Sequence, residues 1–153
     1  MEKFQENIDK AIKSLQIADH MTYVTFPLVN EKRLLIKIFS EIYKSIINSI
    51  NAMLNYESLY KRIKIYTDKK ENIQTFTKKV AKIYDLTNEQ VKKIKEIIEI
   101  NKRHQQSSME FIKKDRVIIL SDNLSHQILD IQKIKEYLLL AKELLMKINS
   151  RIK

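Results

Sequence analysis

A chain of 153 residues with 29 basic and 19 acidic side chains, net charge +10, is long enough to bury a hydrophobic core without metals or crosslinks. It has no cysteine, which excludes disulfides, thiolate nucleophiles and thiolate-held metal centres. Glycine is also absent, against about 11 expected from average usage, and with it go the usual forms of the phosphate-cradling loop, the dinucleotide fingerprint and the nucleophile elbow.

The amino-terminal run MEKFQENIDKAIKSL is charged from its second residue and lacks an apolar signal core. No later run approaches the roughly 20 apolar residues of a membrane span, so a cytoplasmic protein without membrane contact is expected. Phe4, Ile8, Ala11, Ile12, Leu15, Ala18 and Met21 form one apolar stripe, which predicts a first helix over 3–25. Pro27 disfavours a helical Phe26, so extended chain is expected there. Asn30 is placed to N-cap a long second helix running to Ile63. That helix carries Leu35, Ile38, Phe39, Ile42, Ile46, Ile50, Met53 and Leu54 on one stripe, widened by Leu34, Tyr43, Ile47 and Leu59, so it should be packed on at least two sides. The short link makes the first two helices antiparallel neighbours, the first lying along two-thirds of the second. A helix over 30–63 would be roughly 50 Å long against a domain diameter near 40 Å. The stretch from Asn51 to Ile63 is therefore expected to overhang, bend or meet another subunit.

Asp68 followed by Glu71 has the form of a capping box and opens a helix over 69–84. Thr87 followed by Gln90 opens another over 88–105, and Ser107-Ser108-Met109-Glu110 a short one ending at Lys113. The β-branched run Val117-Ile118-Ile119, the turn pair Asp122-Asn123 and the resumed apolar pair Ile128-Leu129 predict a short β-hairpin or extended segment near 116–129. Asp130 caps a last helix over 131–151 with Ile131, Ile134, Tyr137, Leu138, Ala141, Leu144, Leu145 and Ile148 on one face. The expected fold is all-α, a helical bundle built on two long antiparallel helices with that one strand segment, in a single domain over 1–153.

Charge is uneven. Residues 1–60 carry 7 basic and 7 acidic side chains, 61–116 carry 16 and 8, and 117–153 carry 6 and 4. The excess points to a basic face made by Lys61, Arg62, Lys64, Lys78, Lys79, Lys102, Arg103, Lys113, Lys114 and Arg116. Tyr56, Tyr60, Tyr66 and Tyr84 are interleaved with these cations, a pattern that suits phosphates and unpaired bases. A solvated surface and half-buried tyrosines are the plainer account. Asn48, Asn51 and Asn55 share one line of the long helix, where asparagine is a poor interior residue. They face water, bond to another helix, or form an interface with a second subunit, helped by the adjacent small line Ser45, Ser49 and Ala52.

Catalytic and metal chemistry find little support. Asp19 and His20 are adjacent and diverge by about 100° on a helix, so they do not converge as metal ligands. Ser121, Asp122, Ser125 and His126 place hydrolase-type residues together without an elbow or an oxyanion donor. No catalytic residue, metal site or cofactor is assigned.

The segments ADHMTYVTFPLVNEKRLL (18–35), NSINAMLNYESLYKRI (48–63) and SSMEFIKKDRVIILSDNL (107–124) resemble small uncharacterised archaeal proteins of similar length. The order of two long helices followed by shorter ones resembles the HEPN-like helical proteins of prokaryotes, some of which accompany nucleotidyltransferases while others are dimeric RNases. The HEPN RNase signature is an Arg, four to six residues, then a His. Arg103 directly precedes His104 and Arg116 lies nine intervening residues before His126, so its catalytic residues are not carried over. Three functions are expected in order: a non-catalytic module binding RNA or another polyanion through the 61–116 face as a homodimer; a HEPN-like protein-interaction subunit, an antitoxin or nucleotidyltransferase partner; and a degenerate RNase using Arg103, His104 or His126.

Overall fold

The structure, a computed structural model, describes residues 2–106, 109–113, 116–120 and 126–152, with the backbone alone at 106, 109–113, 116–120 and 126–128. Its core is helical. Helix α1 (Lys3–His20) runs without a break into a π-helical turn (Met21–Thr25) and a short α2 (Phe26–Val29). Helix α3 (Leu34–Leu59) is central and packs against α1, α6 (Asn88–Gln106) and α7 (Ile131–Ile152). Between α3 and α6 the chain forms α4 (Lys69–Thr75), a second π turn (Phe76–Val80) and α5 (Ala81–Ile83). Strands β1 (Met109–Lys113), β2 (Arg116–Leu120) and β3 (His126–Leu129) form one antiparallel sheet in sequence order, with Phe111 opposite Ile118 and Ile118 opposite Ile128.

The apolar stripes explain which faces are buried. Leu35, Ile38, Ile42, Ile46, Ile50 and Met53 of α3 are sealed from solvent together with Ile134, Leu138, Ala141, Leu144 and Ile148 of α7 and Ile94 and Ile97 of α6. Burial of one such side chain contributes about 1.5–3 kcal/mol. The small line of α3 lies against α1. Ser45, Ser49 and Ala52 are all buried, and the Ser45 hydroxyl donates to the Ala11 carbonyl at 2.8 Å. Small residues let the two backbones approach closely enough for that bond. Phe4 meets Tyr56 edge-on at 5.1 Å and Asn7 meets Asn55, so α1 and α3 run in opposite directions.

Four expectations are corrected. Phe26 is helical (φ −61°, ψ −46°) rather than extended. Its N–H reaches back five residues to the Met21 carbonyl, and this widened turn carries the chain past Pro27, whose ring disturbs a regular helix. Phe26 is buried, which offsets the local cost. Asn30 does not open the long helix; it closes α2 in the left-handed conformation (φ 52°, ψ 38°) and donates its N–H to the Phe26 carbonyl. The end of α3 does not overhang. The helix stops at Leu59, a length of about 39 Å at ~1.5 Å per residue, and Ala52, Met53, Leu54 and Glu57 are buried. Residues 109–113 are a strand, not a short helix, because five residues cannot sustain an isolated helix whereas β2 supplies backbone partners along their length. The Ser107-Ser108 cap and the Asp122-Asn123 turn lie outside the described residues.

Other caps follow the sequence. Asp68 accepts from the Lys70 N–H, Asp130 accepts from the Lys133 N–H, and Thr87 and Gln90 exchange side-chain and backbone bonds at 3.0 and 2.9 Å. Helix ends are harder without glycine. Asn30, Lys61 and Asp85 take positive φ instead. At Lys61 the N–H bonds to Ser58 and the next N–H to Glu57, and at Asp85 the same pair runs to Lys82 and Ala81. Both are Schellman closures, in which glycine is the usual left-handed residue. An L-residue there costs about 1–2 kcal/mol. Lys61→Gly should therefore be more stable than Lys61→Ala by about 1 kcal/mol, read as a higher urea midpoint at unchanged slope.

Candidate functional site

The end of α3 holds a charged group where the apolar stripe should continue. Glu57 follows Ile50, Met53 and Leu54 on that stripe and is fully buried. Its Oε1 accepts from Arg62 Nε at 2.6 Å and from an Arg151 terminal guanidinium nitrogen at 3.1 Å. Its Oε2 accepts from Arg151 Nε at 3.0 Å and from the Tyr84 hydroxyl at 2.9 Å. Burial alone would raise the carboxyl pKa, but hydrogen bonds from Arg151, Arg62 and Tyr84 outweigh it and hold the group below its ordinary value of 4.5. Burial and the adjacent carboxylate push the Tyr84 hydroxyl well above its usual range. Arg151 also lies over the Tyr84 ring, while Arg62 lies over Tyr60 at 5.0 Å and Tyr56 at 6.0 Å. One carboxylate thus ties together the ends of α3, α5 and α7 and the start of the loop after α3.

That loop is fixed at a second point. The Tyr66 N–H donates to Asn72 Oδ1 at 2.7 Å, and Asn72 Nδ2 donates to the Tyr66 carbonyl at 2.9 Å. This two-bond clamp sets Tyr66 against α4. Tyr66, Glu71, Gln74, Thr75, Lys78 and Lys79 line a cleft of about 250 Å³. Lys64 Nζ lies 5.4 Å from the centre of the Tyr66 ring. Lys61, Lys64, Lys78 and Lys79 are exposed, and none of them forms an ion pair among the described residues.

The anticipated basic residues divide. Lys78 and Lys79 line the Tyr66 cleft and Lys64 lies over the Tyr66 ring, with Lys61 three residues upstream of Lys64 in the loop. Arg62 is engaged by Glu57 and Arg103 by Glu99 at 3.1 Å. Lys102 is exposed just before the last turn of α6, and Lys113 and Arg116 occupy paired backbone positions in β1 and β2. Lys114 lies outside the described residues, as do Ser121, Asp122 and Ser125. Of the asparagine line, Asn48 accepts from Asn7 at 3.4 Å, Asn55 donates to Asn7 at 2.8 Å, and Asn51 is exposed. Asp19 pairs with Lys142 at 2.7 Å. Among the described residues no group of His, Asp and Glu could hold a metal ion, and no helix is long and apolar enough to cross a membrane.

Sequence reasoning missed Glu57, Arg151 and Asn72. A carboxylate on the apolar stripe of α3 was the available signal for Glu57, since an acid there needs partners. Nothing local marks Arg151, which lies 94 residues away along the chain. No protein family, curated protein or solved structure matches the chain.

Removing one partner of a buried ion pair leaves uncompensated charge and costs about 3–5 kcal/mol. Glu57→Gln keeps the shape and some hydrogen bonds, so a loss of about 2–4 kcal/mol is expected. Glu57 has a lowered folded pKa, so its contribution is complete above the unfolded value and is lost as pH falls through the folded one. Urea midpoints of the wild type should drop from about pH 5 downward, and more steeply than those of Glu57→Gln. Parallel curves would exclude this carboxylate as an acid-sensitive group.

Proposed function

We propose that the protein is a non-catalytic helical module that binds RNA or a comparable polyanion, using a basic face carried on a bundle of two long antiparallel helices. The observation that supports this most is a cleft lined by Lys78, Lys79 and the exposed Tyr66, with Lys64 lying over the Tyr66 ring. Lysines without carboxylate partners in a region of net positive charge create a field that attracts phosphates. Each phosphate neutralised releases counterions, so binding of this kind is steeply salt-dependent. Lys61 and Lys102 extend the surface. Arg62 and Arg103 contribute less, because their guanidinium groups already serve Glu57 and Glu99. Asn48 and Asn55 bond to Asn7 within the chain, which leaves Asn51 as the exposed member of that line.

A second reading, a protein-interaction subunit, is favoured by apolar side chains left in solvent: Leu28 is 81% exposed, Met146 66% and Leu139 58%. The two readings separate by salt. A polyanion is released as ionic strength rises, whereas an apolar partner is held.

The triple variant Lys64→Glu, Lys78→Glu, Lys79→Glu should bind a single-stranded RNA at least tenfold more weakly than wild type at low salt. Its slope of log affinity against log salt should be shallower by about 2, at ~0.7 per phosphate contact. Lys10→Glu, Lys13→Glu, Lys37→Glu, from the charge-balanced first part of the chain, should leave both quantities nearly unchanged. Equal losses from the two triples would show net charge rather than this face to be responsible.

A further inference from the structure

We infer that the Tyr66 cleft is a subsite for one unpaired nucleotide, with the base stacked on the Tyr66 ring and its phosphate held by Lys78 and Lys79. This rests on the polyanion reading and narrows it from charge recognition to recognition of single strands. A cleft of about 250 Å³ lies below the usual range for drug-sized ligands, roughly 300–1,000 Å³, and suits one nucleotide rather than a larger group.

The chemistry is graded along the cleft. Tyr66 is 40% exposed, so its ring is accessible, yet its backbone is held by both ends of the Asn72 amide. A platform fixed in advance loses little freedom on binding. Lys64 lies over the ring as a cation, and the exposed part of the ring is the surface on which a base would stack. Glu71, Thr75 and Lys78 line the cleft in that order along α4 and the π turn that follows it. Glu71 sits beside Asn72, at the Tyr66 end. Its carboxylate repels a phosphate there and accepts a hydrogen bond from a base N–H. Lys78 and Lys79 line the same cleft seven and eight residues beyond Glu71, and there a phosphate is favoured. Polarity therefore orients the nucleotide, base toward Tyr66 and Glu71, phosphate toward Lys78 and Lys79.

A paired base cannot enter, because its faces are covered by its neighbours in the duplex. The protein should thus prefer single-stranded to double-stranded RNA. The probes are a 12-nucleotide single-stranded RNA and the duplex of the same length, with affinities read by fluorescence anisotropy at fixed salt. Tyr66→Ala should weaken single-strand binding about tenfold or more and change duplex binding less than about twofold, while Tyr66→Phe keeps both. Because the chain has no tryptophan, Tyr66→Trp adds a single reporter whose emission should be quenched by the single strand and not by the duplex. That second variant keeps the test decisive should Tyr66→Ala fail to fold. Equal effects of Tyr66→Ala on both probes, or no quenching of Tyr66→Trp by bound single strand, would overturn the nucleotide subsite while leaving polyanion binding in place. Absence of binding to either probe would overturn the polyanion reading and this subsite with it.

Discussion

Glu57 is a carboxylate with no access to solvent, and four hydrogen bonds from three side chains are what make its burial tolerable. Desolvating a charge costs several kcal/mol, and only close, well-oriented partners offset that. The partners come from three places: Tyr84 at the close of α5, Arg151 in the last turn of α7, and Arg62 just past α3. Apolar contacts alone would hold α3 against α7 over a range of rotations and shifts. A bidentate arginine on a buried acid admits far fewer. The Glu57 cluster therefore sets the register in which the ends of these helices meet. It also fixes where the loop after α3 begins, since Arg62 returns both its side chain and its backbone N–H to Glu57.

The absence of glycine imposes a related constraint on the same helix end. Helices commonly close on a left-handed residue, and at three helix ends the chain uses Asn30, Lys61 and Asp85. Asparagine and aspartate tolerate that conformation because a short polar side chain can bond locally. Lysine has no such help, so Lys61 is held by what surrounds it. The bonds from Lys61 to Ser58 and from Arg62 to Glu57 complete the closure. The Arg62 clamp supports it from the side-chain direction. Lys61 is consequently presented outward at the point where the charge balance of the chain changes from neutral to strongly positive.

The helices were legible because the stripes were long. Over α7 every position from Ile134 to Ile148 assigned to the core is buried, and the main stripe of α3 is buried from Leu35 to Leu54, with Tyr43 and Ile47 at its margin partly buried. Thr87 and Gln90 declared their cap by residue type and spacing alone. Local rules failed where a distant partner or an unusual turn decided the outcome. Pro27 implied a break, but a π turn with buried Phe26 carries the helix past it. The run Met109–Lys113 has a helix-like opening, yet its backbone partners lie in β2. Asn48 and Asn55 were suggestive as a line, and only the position of Asn7 on α1 shows what they bond to. As for the candidate site, the cations and tyrosines were visible in the sequence, but their division into engaged and exposed groups was not.

The proposed polyanion role rests on that division. Tyr84 and Tyr66 are the same residue type in the same basic region. Tyr84 is sealed, its hydroxyl spent on Glu57 and its ring covered by Arg151, so it serves the fold. Tyr66 is held through its backbone by Asn72, which leaves its ring outside the structural bonding. The cations divide in the same way: Arg62 and Arg103 are bound to carboxylates, whereas Lys78 and Lys79 line the open cleft and Lys64 lies over the Tyr66 ring. Arginine, with its rigid fork, suits the buried acid, and lysine, a compact charge on a flexible stem, suits a mobile phosphate at the surface. Arg62, Arg151 and Tyr84 thus build the frame around Glu57, while Lys64, Lys78, Lys79 and the Tyr66 ring stay at its edge, so binding there as proposed would not loosen what holds the helices together.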